Sequence, residues 1–485
     1  YINLRNSLIE LGYHFQTQSD TEVILAGYET WGLKETIGKL RGMFAFAIVD
    51  QTKNKLFLAR DYFGKKPLYY YQDSERFIFS SEIKPLSKLF RKDLTLNYNS
   101  IDYFLTELSM PQPNTIWNEI MQVPRNSHLT FDISSQNNKV EHSQEEISYK
   151  KKINVNEQEA LSEIDRLLKI AIKRRAIADV PVSCFLSGGV DSGLISSILA
   201  KESSEKIKTF TLGFDYEDFN EFELAAKVSK KYGTEHHEIK ISPNIKNTIF
   251  EIVEKEGEPF ADSSIIPTFL ITKEIKKHVK VAISGDGGDE IFGGYHEYET
   301  AYWTDQLKNK LSKTNIIRTK ILSRINPKFK NLGKYSSFKD APAAKKLFRD
   351  MGFSDKEKSL LYSNQELNKS TNYTNNYLTS IWNKYSSHSF LSTLFNASFD
   401  SRLINVETGE SYGSGNFSHT GEIDYLLTFD SLGFLYAQVT NYLGFKPHRH
   451  EGKVTGLAAF GNPEKTLPIF QKMVSWDIFS GQWIT

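Results

Sequence analysis

An apolar strand that runs directly into a glycine-rich loop and then into a helix occupies residues 180–200, with the sequence VPVSCFLSGGVDSGLISSILA. Gly188 and Gly189 allow a tight turn whose backbone can lie close to a ligand. The helix that follows presents unpaired N–H groups and the positive end of its dipole, and both attract anions. The segment therefore predicts a phosphate-binding loop at the end of a buried strand.

This loop lacks the lysine-containing ending of a Walker A phosphate-binding loop. Without a lysine that reaches the terminal phosphates, the loop suits pyrophosphate as a leaving group better than transfer of a γ-phosphoryl group. We expect Asp191 to bind Mg²⁺, because Mg²⁺ takes one or two carboxylates together with phosphate oxygens. The alternative interpretation is a glycine-rich turn in front of an ordinary helix.

A second glycine-rich loop follows an apolar run at residues 279–295, with the sequence VKVAISGDGGDEIFGGY. Its carboxylates Asp286, Asp289 and Glu290 repel one another unless a cation lies among them. A magnesium site shared with Asp191 is the interpretation we prefer, and a solvated acidic turn is the alternative. Because both loops follow strands, we expect them at the carboxyl edge of one parallel sheet, where such folds bind ligands.

The first third of the chain has a sequence pattern that is typical of an antiparallel sheet. Between residues 43 and 82, short strand-like runs alternate with polar or glycine and proline turns. The run HLTFDI at residues 128–133 predicts a return strand, and tyrosines 69–71 are expected to pack within the sheet. A polar stretch at residues 134–158 is interpreted as a linker.

From residue 159 onward the pattern changes to helices that alternate with apolar runs. The first helical segment places Leu161, Ile164, Leu168 and Ile172 on one face. The apolar runs VPVSCFL, KTFTLGF, EHHEIKI and VKVAI are separated by helical segments, which predicts a parallel α/β sheet. After about Phe395 the composition shifts toward Asn, Gly and Ser, and we expect a third module to begin there.

Composition excludes several classes of protein. The 485 residues fit two to four domains, at roughly 100–200 residues each, and no apolar run approaches the ~20 residues of a membrane span. The single cysteine cannot form an internal disulfide, which favours a reducing, cytoplasmic compartment. A net charge of +1 predicts no nucleic-acid partner, and we interpret the basic stretch 306–339 as solvated helix faces, with a nucleic-acid patch or a steering field as alternatives.

The motifs SGGVDS, TFTLGF, EPFADSSIIPT and SGDGGDEIFGGY resemble the ATP-pyrophosphatase half of glutamine-hydrolysing asparagine synthetases. The earlier motifs SDTEVILAGYETWG, LRGMFAFAIVD, ARDYFGKKPLYYY and FSSEIKPL resemble the glutaminase half of that family, in the expected order. The resemblance implies an αββα Ntn-type glutamine amidotransferase domain over residues 1–145 and a Rossmann-like ATP-pyrophosphatase domain over residues 155–395. In that family, glutamine-derived ammonia crosses to the second domain and attacks an aspartyl-adenylate made from aspartate and ATP.

The resemblance also implies roles for individual residues. The residues expected to line the adenine nucleotide are Leu186, Leu212, Ser284 and Gly285. Those expected to hold pyrophosphate are Ser187, Gly188, Gly189 and Ser192. Asp191 and Asp289 are expected to bind Mg²⁺, Asp286 to act in adenylate formation, and Asp20 to bind the amino group of glutamine.

Two departures from the family pattern stand at the ends of the chain. The chain begins with Tyr1, just beyond the segment that carries the family's cysteine nucleophile, and Cys184 lies inside an apolar strand as an inert thiol. We therefore expect the chain as written to use free ammonia rather than to hydrolyse glutamine.

The segment 396–485 departs in a different way, because its run 429–465 resembles the start of the carbamoyltransferase family of nodulation and O-carbamoylation enzymes. The residues that match that pattern are Ser431, Gly433, Tyr436, Gly444, Glu451, Gly452, Lys453 and Gly456.

The leading hypothesis is an ATP- and Mg²⁺-dependent amide ligase that forms asparagine, with a homodimer as a candidate assembly. A relative of this class could adenylate another carboxylate, as β-lactam synthetases do. The alternatives are a truncated or misjoined chain that binds nucleotide without turnover, and a fused amidotransferase and carbamoyltransferase.

Adjacent His236 and His237 on a predicted strand point to opposite faces, so they are not expected to share a metal ion.

Overall fold

The computed structural model describes residues 1–143, 155–214, 221–241, 245–261, 265–294, 298, 302, 352–361 and 373–385, and three two-residue strands further on. The predicted carbamoyltransferase-like residues 431–456 and the basic stretch 306–339 lie outside the described residues. No helix within the described ranges is long and apolar enough to cross a membrane.

Residues 1–143 form helices and two antiparallel sheets. In chain order the elements are α1 (Ile2–Glu10), α2 (Asp20–Trp31), α3 (Leu33–Lys39), β1 (Ala45–Asp50), β2 (Lys55–Arg60), β3 (Tyr69–Gln72), β4 (Phe77–Ser80), α4 (Ile83–Leu89), α5 (Tyr98–Glu107), β5 (Ile120–Gln122), β6 (Ser127–Asp132) and β7 (Asn137–His142). One sheet has the strand order β1-β2-β6-β7 and the other β4-β3-β5. The predicted return strand is β6, which pairs antiparallel with β2.

The central strands of the two antiparallel sheets are buried at consecutive positions, so both faces of these strands are covered. Leu56 and Leu58 of β2 pack with Leu129 and Phe131 of β6 in one core. Tyr69, Tyr70 and Tyr71 are all buried, and the ring of Tyr71 stacks on that of Phe90 at 3.8 Å between centroids. The prediction that these tyrosines pack within the sheet is confirmed.

The second part of the chain alternates helices with parallel strands. Its elements are α6 (Glu157–Arg175), β8 (Val182–Phe185), α7 (Val190–Glu202), β9 (Lys208–Phe214), α8 (Phe222–Tyr232), β10 (Glu235–Ile241), α9 (Ile245–Glu256), α10 (Ile265–Ile275), β11 (Val281–Ile283) and α11 (Gly288–Phe292). The strand order is β10-β9-β8-β11, with every pairing parallel. The predicted fold class, an antiparallel domain followed by a parallel α/β domain, is confirmed.

Helix α6 begins with a capping box, in which Asn156 and Glu159 each bond the other's backbone N–H. Its buried stripe includes Leu168 and Ile172, which pack with Cys184 of β8 and with α7. Leu161, which the helical period places on the same face, is 43% exposed. Helical periodicity therefore predicted the buried face of α6 correctly at Leu168 and Ile172. It did not predict that Leu161, near the start of the helix, is exposed.

The later described elements are short and separated in sequence. They are α12 (Asp355–Leu361), α13 (Tyr373–Lys384), β12 (Ser414–Gly415), β13 (Trp476–Asp477) and β14 (Gln482–Trp483). Strand β12 pairs parallel with β11, through Ala282 and Ser414, and extends the parallel sheet. The predicted domain boundary at residue 395 stays a prediction.

Candidate active site at the carboxyl edge of the parallel sheet

The two glycine-rich loops leave the same edge of the parallel sheet. Strands β8 and β11 are parallel neighbours, with Val182 opposite Val281 and Cys184 opposite Ile283. Both loops begin directly after these strands, so the pairing of two strands that are distant in the chain brings the loops together. This juxtaposition is the one predicted from the two strand-to-loop patterns.

The first loop is shaped by a glycine with positive φ. Gly188 has φ +77, and a Cβ at this position would lie 2.8 Å from Cβ of Leu224 on α8. Both the backbone angle and the close approach require glycine. The loop is therefore pressed against α8, and its backbone conformation is fixed by packing.

We expect Gly188→Ala to destabilise the protein by at least about 1–2 kcal/mol, because an L side chain in this region of φ and the clash with Leu224 both cost free energy. Urea unfolding followed by circular dichroism measures the change. Gly38→Ala is the matched control, because Gly38 lies in α3 and a Cβ added there would meet only open space. An unfolding free energy equal to that of Gly38→Ala would contradict the packing described for Gly188.

Serine hydroxyl groups hold the loop in place. Ser192 Oγ accepts a hydrogen bond from the Ser187 backbone N at 3.1 Å and lies 2.9 Å from Ser187 Oγ. Helix α7 starts after Gly189, and no side chain caps its first N–H groups. A 13-residue helix whose first turn has no side-chain cap offers its N–H groups and its dipole to an anion.

Asp191 lies where the two loops meet. A Cβ at Gly288 would lie 2.9 Å from Asp191 Oδ2, and a Cβ at Gly285 would lie 3.0 Å from both Asp191 Cβ and the Ser192 backbone N. The carboxylate of the first loop therefore rests on the glycine backbone of the second loop. Any larger residue at Gly285 or Gly288 would push the two loops apart.

The second loop holds its own carboxylates in different ways. Ser284 is buried and donates a hydrogen bond from Oγ to Asp286 Oδ2 at 2.8 Å, while the rest of Asp286 is exposed. The Gly294 backbone N donates to the Asp289 carbonyl at 2.9 Å, and a Cβ at Gly294 would overlap the Asp289 carboxylate. Asp286 is thus oriented toward solvent, and Asp289 is held tightly within the loop.

The carboxylates at this edge fit Mg²⁺ by their number and chemistry. Among the described residues there is no group of three or more His, Cys, Asp or Glu side chains that could enclose a metal ion. Asp191 and Asp289, in the first turns of the helices that follow neighbouring strands, carry hard oxygen atoms of the kind that Mg²⁺ takes as ligands. Mg²⁺ is commonly bound by one or two carboxylates with substrate phosphates completing the shell, so this set suits a metal that arrives with a nucleotide.

The remaining predicted site residues occupy different environments. The Leu186 side chain is buried against Ala225 and Val228, and its backbone N–H and carbonyl are bonded to Phe210 and Thr211 of β9. Leu212 is partly buried on β9, beside β8 in the same sheet. Asp20 is exposed in the first turn of α2, in the antiparallel part of the chain and outside the two loops.

Cys184 is the inert thiol that the sequence predicts. Its side chain is 0% exposed, and Ser196 Oγ donates a hydrogen bond to its Sγ at 3.1 Å. Burial raises the pKa of the Cys184 thiol to about 12.

The two adjacent histidines have different partners. His236 Nδ1 lies 3.0 Å from Thr209 Oγ1, whereas the His237 ring stacks on Phe210.

We expect the native protein to resist thiol labelling by DTNB at pH 8. A pKa of about 12 leaves roughly one thiolate in 10⁴ molecules at that pH, and burial excludes the reagent. Labelling is followed before and after addition of guanidinium chloride, which exposes the thiol. Labelling of the native protein at the rate of the unfolded chain would contradict the burial of Cys184.

A cavity of about 780 Å³ lies between the antiparallel part and the parallel sheet. Arg60 and Met110 line it from one side, and Phe185 and Ala282 line it from the sheet. Glu258 also lines it, and burial raises the pKa of this carboxyl to about 7 although the Ile116 backbone N donates to it at 3.0 Å. Sequence reasoning missed Glu258 as a residue of interest, because its environment is created only when the two parts pack together.

Comparison with known proteins agrees with this architecture. The family model described as asparagine synthase matches residues 163–420, and a glutamine amidotransferase domain model matches residues 1–143. The chain therefore belongs to the asparagine synthase family. Because both models end by residue 420, the carbamoyltransferase resemblance further on stays a prediction.

Several curated relatives are similar over the same region. Asparagine synthetase (glutamine-hydrolyzing) 1 of Bacillus subtilis is 37% identical over 306 residues, which cover 61% of this chain and 46% of that protein. A putative asparagine synthetase 2 of Methanocaldococcus jannaschii is 31% identical over 63% of this chain and 59% of its own length. Asparagine synthetase B of Escherichia coli is 29% identical over 60% of this chain and 49% of its own. The chain spans about half the length of the curated relatives it matches.

Proposed function

We propose that this protein is an ATP-dependent amide ligase that makes asparagine. The side-chain carboxylate of aspartate attacks the α-phosphate of ATP, which releases pyrophosphate and forms an aspartyl-adenylate. Ammonia, either free or derived from glutamine, then attacks the acyl carbon and releases AMP. The observation that carries the proposal is the contact between the two loops, in which Asp191 rests on Gly288 beside an open helix N-terminus.

The first loop supports pyrophosphate as the leaving group. Ser187, Gly188, Gly189 and Ser192 surround the start of α7, where N–H groups and the helix dipole stabilise negative charge. Asp191 and Asp289 would hold Mg²⁺, which neutralises charge on the phosphates when it is bound. This loop has no lysine of the Walker A type, so a reaction that leaves pyrophosphate intact suits it better than γ-phosphoryl transfer.

The second loop would complete the nucleotide site. We propose that the residues lining the adenine nucleotide are Leu186, Leu212, Ser284 and Gly285. Asp286 would act next to the reacting carboxylate during adenylate formation, because it extends from the loop while Ser284 fixes one of its oxygens at 2.8 Å. In the antiparallel part, Asp20 would bind the amino group of glutamine.

The cavity between the two parts supports delivery of ammonia to the adenylate. It reaches from Arg60 and Met110 to Phe185, the residue directly before the phosphate-binding loop. Ammonia that crosses this cavity would reach Phe185, and from there it would have to pass on to the two loops, because residues 187–191 and 284–289 do not line the cavity. A cytoplasmic location and a homodimer are further expectations of this proposal.

The proposal is tested by following pyrophosphate release from Mg²⁺-ATP in the presence of aspartate and ammonium chloride. We expect AMP, pyrophosphate and asparagine in equal amounts, and no pyrophosphate when aspartate is omitted. Glutamate and β-alanine serve as control carboxylates that test the choice of substrate. Formation of ADP and phosphate, or pyrophosphate release that is independent of any carboxylate, would overturn the proposal.

A further inference from the structure

A fully buried ion pair joins the antiparallel part of the chain to helix α12. Lys358 Nζ lies 2.7 Å from Asp102 Oδ1, and both side chains are 0% exposed. Asp102 lies on α5, so the pair connects residues that are 256 positions apart in the chain. Lys358 also contacts Asp355 Oδ1 at 3.1 Å, within its own helix.

Helix α13 joins the same cluster. Thr374 donates two hydrogen bonds to Asp102 Oδ2, from its backbone N at 3.1 Å and from its Oγ1 at 2.6 Å. Both oxygens of the Asp102 carboxylate are therefore engaged by residues that lie far along the chain. A buried charge is tolerated only when its partners are in place, so the cluster favours one docked arrangement of α5, α12 and α13.

Further contacts continue along α5 and the segment after it. The Phe353 backbone N donates to the Leu105 carbonyl at 2.7 Å, and the Ala261 backbone N donates to the Leu108 carbonyl at 2.9 Å. The hydroxyl of Tyr377 on α13 donates to the Gln112 carbonyl at 3.3 Å. The segment that follows α5 is thus held from several directions by the second half of the chain.

This segment forms part of the wall of the cavity between the two parts. Met110 lines the cavity, and so does Arg60. Gln112 Oε1 accepts a hydrogen bond from Arg60 Nη1 at 3.3 Å. A shift of α5 would therefore move Met110 and Gln112 and change the cavity. The contacts of Lys358 and Thr374 given above are with Asp102 of α5 and with Asp355, and none of these residues belongs to the two glycine-rich loops.

We propose that Lys358, Asp102 and Thr374 form a docking latch, which fixes α5 against α12 and α13 and thereby positions the cavity wall. The three are positioning residues, and the latch does not depend on which reaction the sheet edge supports. It predicts that loss of one member loosens α5 and the segment after it while leaving the parallel sheet intact.

Hydrogen exchange of the full chain, followed by mass spectrometry, tests the latch. In Lys358→Met the Asp102 carboxylate loses its buried partner, and we expect the amides of the last turn of α5 to exchange on the order of 100-fold faster. Peptides from β9 and β10 should keep their wild-type rates. Lys169→Met is the matched control, because Lys169 forms an ion pair with Asp165 on the exposed surface of α6.

Two further variants keep the test decisive if Lys358→Met unfolds. Thr374→Val removes one hydroxyl donor and should speed exchange in α5 about tenfold, whereas Thr374→Ser keeps the hydroxyl and should restore protection. The double variant Asp102→Asn with Lys358→Met removes both charges of the fully buried pair and should be more stable than Lys358→Met alone.

The proposal is overturned if Thr374→Val and Thr374→Ser exchange alike in α5, or if the double variant is no more stable than Lys358→Met. Exchange in Thr374→Val that rises equally in α5 and in β9 would also overturn it, because loss of this hydrogen bond should act only locally. These readouts need no turnover, so a failure of the proposed ligase reaction would leave them unaffected.

Discussion

Asp191→Asn is expected to lower pyrophosphate release by about 10³-fold, because it removes a charged ligand from the point where Mg²⁺ and the phosphates would meet. The amide keeps the size of the side chain, so its packing on Gly288 and Gly285 should remain. The initial rate of pyrophosphate release with saturating ATP, aspartate and ammonium measures the effect. The midpoint of thermal unfolding should stay within a few degrees of wild type.

Asp165→Asn is the matched control for Asp191→Asn, because Asp165 is an exposed carboxylate on α6 whose partner is Lys169. It should turn over at the wild-type rate. If Asp191→Asn retained more than about a tenth of wild-type turnover, Asp191 would not hold the metal in the reaction.

Glu258→Gln is expected to stabilise the protein above pH 7 by up to about 3 kcal/mol. Burial raises the pKa of the Glu258 carboxyl from 4.5 to about 7, so the folded protein retains a proton that the unfolded chain releases. Glu258 therefore makes no difference to stability below pH 4.5, weakens the folded state progressively between pH 4.5 and 7, and has a constant effect above that range. Glutamine stays neutral and can still accept the hydrogen bond from the Ile116 backbone N.

Urea unfolding at pH 4.5, 6 and 8 measures this difference in stability between wild type and Glu258→Gln. Glu254→Gln is the control, because Glu254 is an exposed residue of α9. The two variants should be separated at pH 8 and should converge at pH 4.5. A gap between Glu258→Gln and wild type that does not change with pH would show that the Glu258 carboxyl is not protonated in the folded cavity.

The part of the site that could be predicted from the sequence is the position of each glycine-rich loop, because each has its own strand-to-loop pattern. A strand that runs into a glycine-rich loop determines where Asp191 and Asp286 lie, because parallel strands end at a common edge. The positive φ of Gly188 also follows from a local turn, although its contact with Leu224 does not. Their roles in binding ATP and Mg²⁺ stay predictions.

The features that sequence reasoning missed depend on contacts between distant segments. Asp102 and Lys358 each look like ordinary charged residues of surface helices, and only their docking makes both fully buried. Glu258 lies within the quoted motif EPFADSSIIPT, yet its raised pKa comes from the cavity that forms when the two parts meet. Leu161 shows the opposite error, since its helical position suggested burial and the structure leaves it exposed.

The proposed function depends on activation of aspartate as an acyl-adenylate at the edge of the parallel sheet. Aspartate labelled with ¹⁸O in its side-chain carboxylate tests this most directly, with mass spectrometry of the products of turnover with ATP and ammonia. We expect AMP to gain an ¹⁸O atom, because the oxygen that links the acyl carbon to phosphorus leaves with AMP. Unlabelled AMP, or ¹⁸O in inorganic phosphate together with ADP, would contradict it.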